Sequence, residues 1–234
     1  MFRDPVSAST HLFALPILVV AGLFLLRFSR TPQSRFLNTI YIISAIILYT
    51  ASGTYHAYVG STACMDFLQK VDLSAIFIFI TGTTTPIIGY LLPRFRRQFL
   101  ITIWSICFIG IASVWLFPKP PYGLIVGQYA LLGVGSLVMA VVMGMRANWH
   151  QMKWLVGGGS IYLLGAFCDA MKWPKLYPGV FSTHELMHCT DLLGTIFHYV
   201  FILQMTTEMK QITPAHKAAH TEEYEPEVLV PQQC

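Results

Sequence analysis

The stretch HELMHCTDLLGTIFHY, residues 184–199, places ionisable side chains inside an apolar run. His184 and His188 are four residues apart, so in a helix their imidazoles lie on one face, about one turn from each other. Two imidazoles in this arrangement can bind one metal ion. A third from another helix would complete a catalytic zinc site whose fourth position takes water or substrate.

Three polar residues outside this stretch can complete such a site. His56 ends an earlier apolar run and is predicted as the third zinc ligand, while Asp72 stands at the start of the next run. We predict that Asp72 acts as a general base, or hydrogen-bonds the metal water or an imidazole. Ser52, one turn before His56, is predicted to hydrogen-bond Asp72 or a substrate oxygen.

The elements that carry these residues are predicted to be membrane-spanning helices. The chain is 55% hydrophobic and 11% charged, and a hydrocarbon core of ~30 Å needs roughly 20 apolar residues to cross it. Seven such runs occur, at about 11–28, 37–57, 73–93, 98–118, 122–145, 153–172 and 183–205. This predicts an all-α integral membrane protein, a bundle of seven transmembrane helices over residues 1–208. The polar acidic tail, 209–234, is expected to be disordered.

Alternation of helix direction brings the end of the second run and the starts of the third and seventh to one membrane face. The layer so formed contains Ser52, His56, Asp72, His184 and His188. A charged group at the bilayer centre costs ~2.5–3.5 kcal/mol on insertion scales, so such groups indicate function. The layer therefore predicts a site within the membrane.

The distribution of Lys and Arg predicts the orientation. Loops one, three and five carry eight of these residues, whereas the N-terminus and loops two, four and six carry five. The positive-inside rule then places the N-terminus outside and the C-terminus in the cytoplasm of a multi-pass protein in the plasma or inner membrane. The predicted metal site would lie near the outer face.

The motifs together resemble the hemolysin III branch of the progestin and adipoQ receptor family, which is grouped with the alkaline ceramidases. The resemblance is carried by Thr10-His11, Ser52-x-x-x-His56, Asp72 with Ile76, the stretch Gly82-Thr83-Thr84-Thr85-Pro86, His184-Glu185-Leu186-Met187-His188, Gly194 and His198-Tyr199. It implies seven transmembrane helices and a zinc ion held by His56, His184 and His188, with Asp72 and Ser52 beside it. H-E-x-x-H is also typical of soluble zinc proteases, in which the Glu is the base. Since Asp72 matches the family's acidic partner, we assign Glu185 a lesser role.

Four further features receive predictions from position. Asp191 shares a helix face with His184, His188 and His198, and is expected either to hold the His188 tautomer or to bond a hydroxyl on a neighbouring helix. Asp169 and the glycines at 157–159 are expected to serve packing or local deformation of the helix, with close helix approach at the glycines. His11 is expected to be an interfacial hydrogen-bonding residue.

Three functions are compatible with these features. The first is a zinc-dependent hydrolase of a lipid amide or ester, with metal-bound water as nucleophile and Asp72 as base. The alternative is a receptor or membrane-homeostasis sensor with a structural zinc. A pore-forming hemolysin is the least supported, because no repeated polar stripe lines the spans. The expected partner is a membrane lipid; with no phosphate loop, nucleotide fingerprint or long basic patch, neither nucleotides nor nucleic acids are expected.

Overall fold

The computed structural model describes residues 2–119, 121–144, 149–177 and 181–222, and in these ranges the chain is helical with short connections. The helices are α1 (Pro5–Phe28), α2 (Pro32–Ala57), α3 (Thr62–Leu91), α4 (Arg96–Leu116), α5 (Tyr122–Gly144), α6 (Trp149–Met171) and α7 (Thr183–Glu222). Six are long and apolar enough to cross a membrane, and α5 contains the shorter apolar stretch Gly123–Val138. The prediction of an all-α membrane bundle is confirmed.

Helix starts are set by capping residues more than by the onset of hydrophobicity. Pro5 stands at the first position of α1, and Ser61 caps α3 by accepting a hydrogen bond from the backbone N–H of Cys64 at 3.4 Å. The apolar runs begin at 11 and 73, so both predicted starts are too late. The reason is that hydropathy detects only the segment in hydrocarbon, while a capped helix continues into the polar interface. His11 and Asp72 therefore lie well inside their helices.

Successive helices pack against each other, and α7 closes the bundle by packing on α6 and α1. The most enclosed helix is α3, which contacts α2, α4, α5 and α7 and whose residues 81–90 are all buried. A small residue permits this closeness, since a Cβ at Gly82 would come within 2.1 Å of the Ser44 hydroxyl on α2. The backbones of α2 and α3 thereby approach closely.

The bundle has two ends, called the site face and the far face. The site face is where α1, α3, α5 and α7 begin and α2, α4 and α6 end; the far face is the opposite end. Contacts between helix ends join the site face, such as the hydrogen bond of 3.0 Å from the Asp4 N–H to the His56 carbonyl and that of 2.8 Å from Lys70 Nζ to the Phe117 carbonyl.

The last helix is longer than its apolar part. The span of α7 suited to a membrane is Thr183–Glu208, and the backbone stays helical to Glu222. Residues 223–234 of the expected acidic tail lie outside the described residues, so disorder of these twelve residues stays a prediction.

Candidate metal centre

Three histidine side chains from two helices meet at the site face. His56 is next to last in α2, while His184 and His188 lie in the first two turns of α7. The Nε2 atom of His184 is 3.4 Å from that of His56 and 3.3 Å from that of His188. His56 and His188 are buried, and the His184 side chain is 39% exposed. The sequence-predicted ligands are thus brought together through one nitrogen each.

The distances between these nitrogens match those between two imidazole ligands of one zinc ion. Two ligand nitrogens at about 2.0–2.1 Å from a tetrahedral zinc ion lie about 3.3–3.4 Å apart. The pairs at 3.4 and 3.3 Å agree with this spacing. All three ligand atoms lie within 4.8 Å of one another, so the cluster could hold a metal ion.

The second ring nitrogen of His56 is held by Asp4, which directly precedes α1. The Nδ1 of His56 is 2.9 Å from Asp4 Oδ2, and an ionised carboxylate can only accept, so Nδ1 carries the hydrogen. Partial burial acts to raise the pKa of Asp4, but hydrogen bonds from His56 and Arg3 outweigh it, so the pKa lies below its ordinary value. Asp4 is therefore ionised at neutral pH, and Nε2 of His56, which carries the lone pair when the ring is neutral, faces Nε2 of His184.

His188 is held in a similar way by another imidazole. Its Nδ1 is 2.8 Å from Nε2 of His11, and the His11 ring also packs on Tyr49, with centroids 4.6 Å apart. His11 is 1% exposed. His11 makes the hydrogen bond that was predicted for it, and its ring is buried in the protein because α1 begins at Pro5, well before His11.

His184 faces a carboxylate from the end of α6. Its Nδ1 is 3.9 Å from Asp169 Oδ2, while the other oxygen of Asp169 accepts from Lys172 Nζ at 2.9 Å and from the Thr183 hydroxyl at 3.3 Å. These contacts were not part of the packing role predicted for Asp169. The structure places it beside the histidine cluster, because α6 packs against α7 and its last turn meets the first turn of α7, where the Thr183 hydroxyl bonds Asp169.

Asp72 and Ser52 lie beside the cluster without being part of it. Asp72 on α3 is 8% exposed and interacts electrostatically with His184, and the Ser52 hydroxyl is close enough to hydrogen-bond its carboxylate. Among the described residues, Oδ1 of Asp72 is buried without a hydrogen-bond partner. This oxygen is therefore available to accept a hydrogen bond or a proton.

Glu185 stabilises the start of α7. Its Oε2 accepts from the backbone N–H of Ser182 at 2.7 Å and also bonds the Ser182 hydroxyl, which in turn accepts from the His184 N–H at 3.1 Å. Glu185 bonds the backbone N–H of the N-cap residue as in a capping box, although the Ser182 hydroxyl accepts from the second N–H of the helix and not from the third. The other carboxylate oxygen of Glu185 accepts from the Ser7 hydroxyl at 3.3 Å. Both carboxylate oxygens of Glu185 are thus engaged in hydrogen bonds at the start of α7.

Two polar residues further along α7 have other surroundings. The carboxylate of Asp191 lies within 4.8 Å of ligand atoms of His11 and His188, but Nδ1 of His188 is bonded to His11. His198 is ten residues beyond His188, about 15 Å along the helix, and its Nε2 is 3.2 Å from the Leu155 carbonyl. A Cβ at Gly158 would come within 2.4 Å of the His198 ring, in keeping with the predicted packing role of the glycine run.

Asp4 is the site residue that reading the sequence missed. One signal was available, since an Asp directly before a Pro is typical of a helix start and would have placed residue 4 at the mouth of α1. Its contact with His56 depends on the packing of α1 against α2, which no local pattern encodes.

Similarity to known proteins extends over most of the chain and includes every residue of the site. The family model described as Haemolysin-III related matches residues 1–199. The Hemolysin-3 homolog of Bacillus subtilis (strain 168) is 27% identical over 203 residues, which cover 84% of this chain and 91% of that protein. Hemolysin-3 of Bacillus cereus is 25% identical over 169 residues, covering 70% and 73%. The adiponectin receptor protein of Drosophila melanogaster is 24% identical over 191 residues, 74% of this chain but 43% of that protein.

Proposed function

Since the chain belongs to the haemolysin-III related family, we propose that it binds zinc through His56, His184 and His188 and hydrolyses an amide or ester bond of a membrane lipid. The observation that carries the proposal is the convergence of three Nε2 atoms, two pairs of them 3.3 and 3.4 Å apart. Imidazole nitrogen is a ligand type that suits zinc, and three protein ligands are typical of its catalytic sites.

The chemistry divides between the metal and the protein. Zinc bound there would act as a Lewis acid on a carbonyl oxygen and would acidify a water molecule. Asp72 serves as general base, accepting the proton at Oδ1 and later delivering it to the leaving amine or alcohol. Ser52 fixes the orientation of the Asp72 carboxylate through its hydroxyl. In the neutral imidazole of His56, the Asp4 carboxylate holds the hydrogen on Nδ1, which leaves Nε2 as the nitrogen with the free lone pair.

The location of the site supports a lipid as substrate. The ligands lie on α2 and α7, both membrane-spanning, and α3 carries the base. The outer side of α1, which adjoins the site, is strongly apolar, with Phe13 75% and Ile17 70% exposed. A lipid in the surrounding bilayer can present its polar linkage at the site face, where the His184 side chain is the most accessible of the three ligands.

A receptor or sensor with a structural zinc is the second candidate. It is supported by the similarity to the Drosophila adiponectin receptor protein, of which this chain covers 43%. In that case Asp72 would stabilise the site without transferring a proton. Turnover of a lipid amide or ester by the purified protein separates the two functions.

Metal analysis of the purified protein tests the proposal. We expect about one zinc per chain in the wild type and a strong loss in His188→Ala, because two imidazoles form a much poorer site than three. Both proteins are first shown to be folded and monodisperse in detergent. A folded wild type without stoichiometric zinc after growth in zinc-sufficient medium would contradict the proposal.

A further inference from the structure

The first turns of α1 present one face to both ligand-bearing helices. Asp4, Ser7 and His11 are spaced by three and four residues, which places them on one helical stripe. Asp4 contacts His56 on α2, Ser7 contacts Glu185 on α7, and His11 contacts His188 on α7. Ser7 and His11 are buried. This stripe therefore reaches two of the three ligands through their second ring nitrogens.

Asp4 has an unusual set of partners for its position. An Asp at the N-cap of a helix ordinarily accepts hydrogen bonds from the backbone N–H groups of the first turn. Asp4 occupies the N-cap of α1, yet its side chain makes no capping bond. The carboxylate instead bonds Nδ1 of His56 and Nε of Arg3, both at 2.9 Å. Asp4 thus lacks the hydrogen bond that an N-cap side chain usually makes and contacts the proposed zinc ligand His56 instead.

A second bond between the same residues runs in the opposite direction. The backbone N–H of Asp4 donates to the His56 carbonyl at 3.0 Å, while the His56 ring donates to the Asp4 carboxylate. One bond fixes the backbone at the end of α2 and the other fixes the imidazole ring. Together they determine where Nε2 of His56 points.

We infer that the start of α1 is the template of the metal site, in which Asp4 is a positioning residue for His56 and His11 is a positioning residue for His188. The inference rests on the proposed zinc binding. Outer partners of this kind select the tautomer and orientation of a ligating imidazole, and losing one typically weakens metal affinity about 10–100-fold. With Nε2 of His188 on the metal, its Nδ1–H donates to Nε2 of His11, whose own hydrogen then resides on Nδ1.

Zinc affinity of the detergent-purified full chain, measured by chelator competition, tests the role of Asp4. Asp4→Ala is expected to bind zinc about 10–100-fold more weakly than the wild type. Asp4→Asn keeps an oxygen that accepts from Nδ1 of His56, so its loss should be smaller. Ser7→Ala is the matched control, since it alters the same stripe at a contact with no ligand, and its affinity should remain within about twofold of wild type.

His11→Phe tests the second half of the template. Phenylalanine preserves a buried ring but provides no acceptor for Nδ1 of His188, so zinc affinity should again fall about 10–100-fold. His11→Gln supplies an amide oxygen as acceptor and should recover part of the loss. Failure of His11→Phe to lower the affinity would overturn the role of His11.

The visible absorption spectrum of the Co²⁺-loaded protein provides a readout that a purely structural role would not affect. Reorientation of His56 changes the ligand field, so the cobalt bands of Asp4→Ala should shift or weaken relative to wild type and Ser7→Ala. Wild-type zinc affinity and cobalt spectrum in Asp4→Ala would overturn the role of Asp4 alone. A wild type that binds neither metal would instead contradict the proposed function, and this inference with it.

Discussion

Buried polar side chains gather at both faces of the bundle, but they are satisfied in different ways. The far-face network consists of Ser29, Asn38, Tyr90 and Thr206, from four different parts of the chain. The Asn38 amide donates to the hydroxyls of Ser29 at 2.8 Å and Thr206 at 3.0 Å, and its oxygen accepts from Tyr90 at 2.9 Å. The Thr206 hydroxyl donates to the Ile202 carbonyl. These groups satisfy one another.

The histidine cluster at the site face is open by comparison. Its outer nitrogens are paired, as for His56 with Asp4 and His188 with His11. Its inner nitrogens face one another, and a neutral His56 with its hydrogen on Nδ1 offers a lone pair at Nε2. The far-face network is complete with protein groups alone, whereas the histidine cluster could also hold a metal ion. We therefore expect the far-face network to stabilise the packing of the helices, and the histidine cluster to serve the proposed metal binding.

The largest effect should follow from loss of an inner ligand. His56→Ala and His184→Ala are each expected to weaken zinc binding more than about 100-fold, the upper range for residues that act only through a ligand. Metal content and chelator competition measure this effect.

The control for these variants lies on the same helix as His184. His198→Ala removes a buried imidazole whose Nε2 meets a backbone carbonyl, and it should retain full zinc content. Equal loss in all three variants would mean that the bundle misfolds and that the open cluster has no special role.

The next effect concerns the base beside the open cluster. Asp72→Asn keeps the shape of the side chain but removes its ability to take a proton, so lipid hydrolysis should fall by at least ~10²-fold while zinc remains bound. Turnover and zinc content are measured on the same preparation. Unchanged turnover in the zinc-loaded variant would eliminate Asp72 as the base.

A smaller effect is expected when the closed network is broken. Asn38→Ala leaves the hydroxyls of Ser29, Tyr90 and Thr206 without their shared partner, which should lower the free energy of unfolding by about 1–3 kcal/mol. Chemical unfolding of the metal-free proteins, followed by tryptophan fluorescence, measures this loss. Zinc affinity of the folded variant should stay at the wild-type value; a tenfold change would mean that the two faces are coupled.

The last prediction concerns which face meets the cytoplasm, and the expected signal is simply the absence of labelling. The Lys and Arg bias places the far face and the C-terminus inside, so the open cluster would face outward. In a variant that keeps only Cys234, which lies outside the described residues, a membrane-impermeant thiol reagent should label the protein after lysis but not in intact cells. Labelling of intact cells would reverse the orientation.

Sequence patterns predicted the parts of this site that a single helix encodes. The spacing of His184 and His188 places both rings on one face, and each apolar run located a helix, although α1 and α3 begin 6 and 11 residues before the predicted starts. The contacts of Asp4, His11 and Asp169 depend on how α1 and α6 pack against their neighbours. Each residue alone resembles an ordinary cap, interfacial histidine or packing group, so local pattern could not assign it to the site.

The capping bonds of Glu185 bear on how proteins are sorted by short motifs. A search for H-E-x-x-H would place this chain among the zinc proteases, in which the glutamate is a base. Here Ser182, three residues before Glu185, starts the helix at the motif and commits the glutamate to the cap. We expect a pattern extended to S-x-H-E-x-x-H to select chains in which a serine N-cap can engage the glutamate at the helix start.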